Sequence, residues 1–491
     1  MKLRVKWQSL SRYFFSNMSF RQTLAKNAFW LTFGNLTGRI ARAVFIIYVA
    51  RVLGAEGYGV FSYALSLSAL LSLFSDIGVS GILTREAAKD PASIPIYAST
   101  ALVLKSGLLL ITAGIILLIA PIFAKIPDVV PLLPLAALLV IFDGLRDLSF
   151  SVSRAKEKME IEAWANLATN VAIAGIGIIA VWLRPDPRIL MASYTLGSAA
   201  GMVLAYSLLW KYFSGFWKNF KVALMRPMLA EGMPFALMSL LSTLLVSMDT
   251  LALGWLGTTE QVGLYSAALR PIQLLYLIPS IASTIIFPTF ARLAAERSDS
   301  FQRVLERSLA FSLLLAIPIA AGGTLLAKDI ITLLFGAEYA GAALPFAILL
   351  WTVLITFTYS FIGNAIFAFG KQKNFVIYLG IGAAINMGLI LLLVPRFGIA
   401  GPAIATVIAQ AISNLLIWHR LRSFQKFGVI KHLGPTLGAA VIMTALVAAM
   451  RYAEVPVIIN IIVSAGCYFG LLVLFKEKLL DYLNISKLRV L

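Results

Sequence analysis

One cysteine and two histidines among 491 residues exclude a disulfide, and Cys467, His419 and His432 are too few and too scattered for a zinc centre or a Cys/His nucleophile. Acid is scarce as well, with 22 Asp and Glu against 41 Lys and Arg. Charged residues of both signs make up only 13% of the chain, whereas 60% is hydrophobic and the mean hydropathy is +0.90. A soluble globular domain is thereby excluded, and a polytopic membrane protein is expected. The opening stretch, MKLRVKWQSLSRYFFSNMSF, lacks the apolar core and small-residue cleavage site of a secretory signal. Its basic and aromatic residues predict a helix lying on the cytoplasmic membrane surface.

What is present is a series of apolar runs about 20 residues long, punctuated by charge, Gly and Pro. Spans are expected near 27–50, 57–83, 95–120, 129–153, 161–183 and 189–213, then 228–254, 261–290, 304–326, 342–369, 373–394 and 399–423, and finally 434–451 and 455–475. The fold class is therefore all-α with about 14 transmembrane helices. Alternate connections carry 29 and 7 basic residues, an asymmetry that places both termini in the cytoplasm by the positive-inside rule. The net charge of +19 thus belongs to membrane loops, and no nucleic-acid partner is implied. The longest external connection, about 327–341, leaves no room for an extracellular catalytic domain.

Five basic residues remain inside the spans: Arg39, Arg42, Lys105, Arg146 and Arg270. Counting from Lys26 puts Arg39 about 18 Å into its helix, near the midplane. Arg42 shares its face at i, i+3. Either guanidinium costs roughly 2.5–3.5 kcal/mol against lipid, so each must meet a carboxylate on a neighbouring helix, water or an anion. Lys105 and Arg270 fall at similar depth. Asp143 and Asp147 flank Arg146 on one helix face and read as a local network near the interface. Asp249, about 8 Å from the external end of its span, suits either a coupling proton or Na⁺ or an arginine partner. Asp76 and Glu231 lie closer to the cytoplasmic boundary. The mid-depth excess is positive, which favours an anionic headgroup.

An internal repeat sets the domain organisation. Leu53-Gly54 followed by Gly59-Val60-Phe61-Ser62-Tyr63-Ala64-Leu65 matches Leu256-Gly257 followed by Gly263-Leu264-Tyr265-Ser266-Ala267-Ala268-Leu269 with a one-residue gap. The offset of six spans is even, so the halves are parallel repeats. The expected divisions are an N-terminal segment at 1–26, six-helix lobes at 27–213 and 228–423, two further helices within 434–475, and a cytoplasmic tail at 476–491.

The paired arginines of the first span, the stretch VARVLGAEGYGVFSYALSLSALLSLFSDIGVSGILTREAA, the six-plus-six repeat and the two extra C-terminal spans together resemble the polysaccharide-biosynthesis flippases. These belong to the multidrug/oligosaccharidyl-lipid/polysaccharide exporter superfamily. The resemblance implies two lobes around a central cationic cavity, alternating access, and a polyprenyl-(pyro)phosphate-linked oligosaccharide as substrate. It assigns phosphate binding to Arg39, Arg42 and Arg270, with Lys105 in support, and implies membrane lipids and glycan-assembly machinery as partners. No cofactor is expected beyond H⁺ or Na⁺ coupling, with Asp249, Asp143, Asp147 and Arg146 as its candidate residues or as charge partners. No enzymatic activity is expected. The competing readings are a proton- or sodium-coupled drug or metabolite antiporter of the same superfamily and, further off, a membrane polymerase or glycosyltransferase.

Overall fold

The computed structural model describes residues 20–298, 300–428 and 433–475. The described residues form helices and no strands, and thirteen helices among them are long and apolar enough to cross a membrane. The first, Leu36–Ser75, is 40 residues long and overlaps two of the crossings read from the sequence. No loop separates them: α1 runs Phe20–Leu71 and departs from helical geometry only at Gly54, with φ 71 and ψ 174. A side chain at that φ would be strained, and the glycine turns one rod into two. Residues 20–26 of the expected surface segment continue α1, and Lys26 is buried against Glu160 at 3.2 Å. The rest of that segment and the tail 476–491 lie outside the described residues.

By packing, the chain divides into two compact units after Trp255. The first holds α1, a 3₁₀ turn at Ser72–Ser75, α2 (Val79–Lys89), α3 (Ile94–Gly114), α4 (Leu133–Ala155), α5 (Met159–Leu183), α6 (Pro187–Phe213) and most of α7 (Met225–Leu256). Small residues let α1 lie close to α5. A Cβ on Gly34 would stand 2.8 Å from Ala163 Cα, and one on Gly38 would stand 2.6 Å from the Asn170 amide nitrogen. This is the small-xxx-small spacing by which membrane helices pack without a hydrophobic driving force. Beyond the apolar spans, at the end of α2, hydrogen bonds from Lys89 (2.8 Å) and Arg85 (2.6 Å) reach Glu86. They hold its carboxyl below the ordinary value.

The second unit holds α8 (Thr259–Leu275), α9 (Leu277–Ala295), α10 (Ser300–Leu325), α11 (Ala327–Phe335), α12 (Ala343–Leu349), α13 (Trp351–Ala368), α14 (Gln372–Phe397), α15 (Ala400–Arg422), α16 (Gly434–Tyr452) and α17 (Val457–Leu474). Thr258 and Gln261 form a reciprocal capping box that starts α8, satisfying two of the amides a helix N-terminus leaves open. The core joins Phe290, Phe301, Leu305 and Leu309 to Phe361, Ile417, Met443 and Tyr468. The last two helices are fastened to α10 by polar bonds: Tyr468 Oη donates to the Leu314 carbonyl at 2.7 Å. Arg451 Nη1 donates to the Leu325 carbonyl at 2.6 Å, closing one of the acceptors left open at the α10 C-terminus, and its Nε lies 3.0 Å from Asp329. Between α16 and α17, Asn460 Nδ2 donates to the Val447 carbonyl at 3.2 Å.

Candidate functional site

The second crossing read from the sequence, 57–83, is broken. After the 3₁₀ turn the backbone enters positive φ at Ile77 (φ 44) and Gly78 (φ 79), and α2 starts afresh at Val79. In a membrane, a break of this kind survives only if its amides and carbonyls find partners within the protein. Asp76 supplies them. Its backbone carbonyl accepts from Val79 N at 2.9 Å, and its carboxylate accepts from Ser80 N at 3.0 Å and from Ser80 Oγ. A carboxylate at the start of a helix also meets the positive end of the helix dipole. The compensating cation comes from α3: Lys105 Nζ donates to Asp76 Oδ2 and, at 2.8 Å, to Ser80 Oγ. At this turn α7 crosses with backbone against backbone, and a Cβ on Gly78 would stand 2.0 Å from the Gly232 carbonyl oxygen.

Beside this break lies a cavity of about 760 Å³, walled by residues of α1, α2, α3, α4 and α7. Asp76, Lys105, Asp143, Arg146 and Asp147 line it together with Ser68, Ser72, Ser80, Ser239 and Thr243. Arg146 sits 2.8 Å from Asp143 Oδ1 and 3.9 Å from Asp147 Oδ1. Its Nη1 donates to Thr169 Oγ1 on α5 and Ser198 Oγ on α6, both at 3.3 Å. Ser198 Oγ donates in turn to Asp143. The trio reaches beyond its own helix: it ties α4 to two neighbours and shares a cavity with the Asp76–Lys105 pair.

Arg39 and Arg42 do not line this cavity. Arg42 Nε donates to Asn170 Oδ1 at 3.0 Å, with its guanidinium 5.9 Å from the Tyr194 ring centre. Arg39 is exposed and makes no hydrogen bond or ion pair among the described residues. Arg270 belongs to the second unit, where Nη1 donates to Gln273 Oε1 at 3.2 Å. Asp249 is buried on α7, 3% exposed, and partnered. Lys105, counted in the mid-depth basic excess, is committed to Asp76, because the broken helix lets that carboxylate reach α3. Sequence reasoning placed Asp76 at the boundary and passed over Ser80. The signal was the run Asp76-Ile77-Gly78, a helix-interrupting pattern inside an apolar span.

Residues 24–294 match the family described as polysaccharide biosynthesis protein. The chain belongs to that family. Among relatives, the chain is 25% identical over 466 residues to a probable low-salt glycan biosynthesis flippase of Haloferax volcanii, covering 92% of this chain and 94% of the relative. It is 23% identical over 419 residues to a putative O-antigen transporter of Shigella flexneri, covering 80% and 97%. Among solved structures, the lipid II flippase MurJ in its inward closed conformation superposes with a TM-score of 0.73 at 18% identity, covering 91% of this chain and 98% of that one. An inward-facing multidrug-resistance MATE transporter of the MOP superfamily gives 0.66 at 14%, covering 78% and 94%. At these identities the structural likeness establishes the fold alone, the multi-helix architecture that these two structures share.

Proposed function

We propose that this protein is a flippase. It moves a polyprenyl-(pyro)phosphate-linked oligosaccharide across the cytoplasmic membrane by alternating access, with both termini in the cytoplasm, and delivers it for cell-surface glycan assembly. The observation that carries the reading is Arg39, an exposed guanidinium about midway along an apolar helix, where lipid alone would penalise it and an anion would stabilise it. Arg39 and Arg42 contact the phosphate in the first unit, and Arg270 offers a guanidinium of its own in the second. The names of the relatives support the same substrate class.

The test is transfer of a prenyl-diphosphate-linked sugar between the leaflets of proteoliposomes. Arg39→Ala and Arg270→Ala should each slow transfer about tenfold to a hundredfold, the loss expected for a charge-assisted contact, while the protein still inserts. Lys at either position should restore part of the rate, since it keeps the charge and loses the planar fork. Full activity of both Ala variants would remove the phosphate assignment.

One observation favours the antiporter reading, namely that the cavity of the first unit holds three carboxylates against two cations. The same vesicles separate the readings, because a flippase should show no ion-driven movement of a cationic dye such as ethidium. Orientation has its own check. Cysteines introduced at 184–188 and 327–341 should react with an impermeant maleimide from outside, and those at 211–227 only after permeabilisation; the reverse pattern would invert the topology.

A further inference from the structure

We propose that the cavity beside the broken helix is a subsite for the hydroxyl groups of a neutral or amine-bearing sugar, and that it discriminates against acidic sugars. The inference rests on the flippase reading and names the part of the substrate that this cavity takes.

The cavity presents its charges unequally. Its two cations are withdrawn: the side chain of Lys105 is 1% exposed and that of Arg146 is 11% exposed. Its carboxylates come forward, with Asp76 at 30%, Asp143 at 42% and Asp147 at 57%. An incoming group therefore meets acceptor oxygens first, and the wall as a whole is one negative charge in excess. A phosphate or uronate would be repelled, while hydroxyl and ammonium donors would be held by charge-assisted hydrogen bonds. A single metal ion does not fit the pattern. Among the described residues no group of three His, Cys, Asp or Glu side chains converges closely enough to hold one, so the acceptors are spread out, as a polyol with several hydroxyls requires.

The remaining wall suits the same ligand. Ser72, Ser239 and Thr243 add hydroxyls that both donate and accept. Phe235, 42% exposed, offers a ring face to the apolar side of a pyranose. The volume of about 760 Å³ falls within the roughly 300–1,000 Å³ of small-ligand sites. Asp147, 3.9 Å from Arg146, is beyond hydrogen-bond distance of that side chain and is the most exposed of the three carboxylates.

The experiment measures binding of three short-chain probes to the full-length protein in nanodiscs: prenyl diphosphate alone, prenyl diphosphate bearing N-acetylglucosamine, and the same lipid bearing glucuronic acid. Wild-type protein should bind the N-acetylglucosamine lipid at least about tenfold more tightly than the glucuronyl lipid. Asp147→Asn should weaken the neutral-sugar lipid about tenfold, the loss of one charged hydrogen bond, narrow the gap between the two sugars, and leave prenyl diphosphate within about twofold. Phe235→Leu, which keeps an apolar side chain without a ring face, should weaken both glycosylated lipids and spare the bare one. Equal wild-type affinity for the two glycosylated lipids, or equal weakening of all three probes by Asp147→Asn, overturns the subsite. Failure of wild-type protein to bind any of the three would instead remove the flippase reading beneath it.

Discussion

Lys105→Met should lower the melting temperature of the purified protein more than any other single change to its intramembrane charges, and Lys105→Met combined with Asp76→Asn should recover most of the loss. The lysine is almost fully enclosed and its ammonium is held by Asp76 and Ser80. Removing it strands a carboxylate that also secures the Ser80 amide at the start of α2, and breaking such a pair costs up to about 3–5 kcal/mol when fully buried, an upper figure here because Asp76 is 30% exposed. Neutralising the aspartate removes the stranded charge while Asn keeps an acceptor for the Ser80 amide. The double variant also separates two roles for Lys105. Recovered stability with recovered transfer makes the lysine a structural partner of Asp76. Recovered stability without transfer leaves its positive charge needed by the substrate. A double variant no more stable than the single one would mean that the pair does not hold the break together.

The second large effect is steric. Gly78→Ala puts a methyl group 2.0 Å from the Gly232 carbonyl oxygen at a residue whose φ is 79, and Gly232→Ala puts one 2.5 Å from the Ile77 carbonyl. The left-handed conformation alone costs an alanine roughly 1–2 kcal/mol, and forcing apart two backbones adds roughly 1–3 kcal/mol. The contacted atoms are main chain, so neither neighbour has a rotamer with which to move aside. Each variant should cut the yield of monodisperse protein about tenfold or more, whereas Gly107→Ala, with open space around its new methyl, should leave the yield unchanged. Normal yield of Gly78→Ala would show that α7 and the broken helix do not approach so closely.

Hydropathy and punctuation were enough to read the all-helical membrane class, because a crossing of about 20 apolar residues is a requirement of the bilayer rather than of any one partner. The join between the first two crossings was not legible. Gly54 reads like any turn glycine, and whether a turn becomes a loop or a bend depends on the φ of one residue. For the site, residue type and depth picked out Arg39, Arg42, Lys105 and the Asp143–Arg146–Asp147 trio. Depth counted along straight helices kept Asp76 apart from Lys105, and only the interruption at Ile77-Gly78 makes them neighbours. Counting charges also hid which of them face open space: the sequence shows a basic excess in the membrane, yet at the cavity wall the acids stand in front of the bases.

The bonds that fasten the last two helices to α10 bear on how the protein is made. A ribosome delivers α16 and α17 after α10 has already emerged, so the Leu314 and Leu325 carbonyls wait for Tyr468 and Arg451 through the synthesis of more than a hundred residues. The segment Val457–Leu474, with a hydropathy of 2.4, is apolar enough to partition into the bilayer unaided, which makes entry and docking separable steps. A nascent chain that stops short of α16 would leave the side of α10 that Met443 covers, at Gly322, facing lipid.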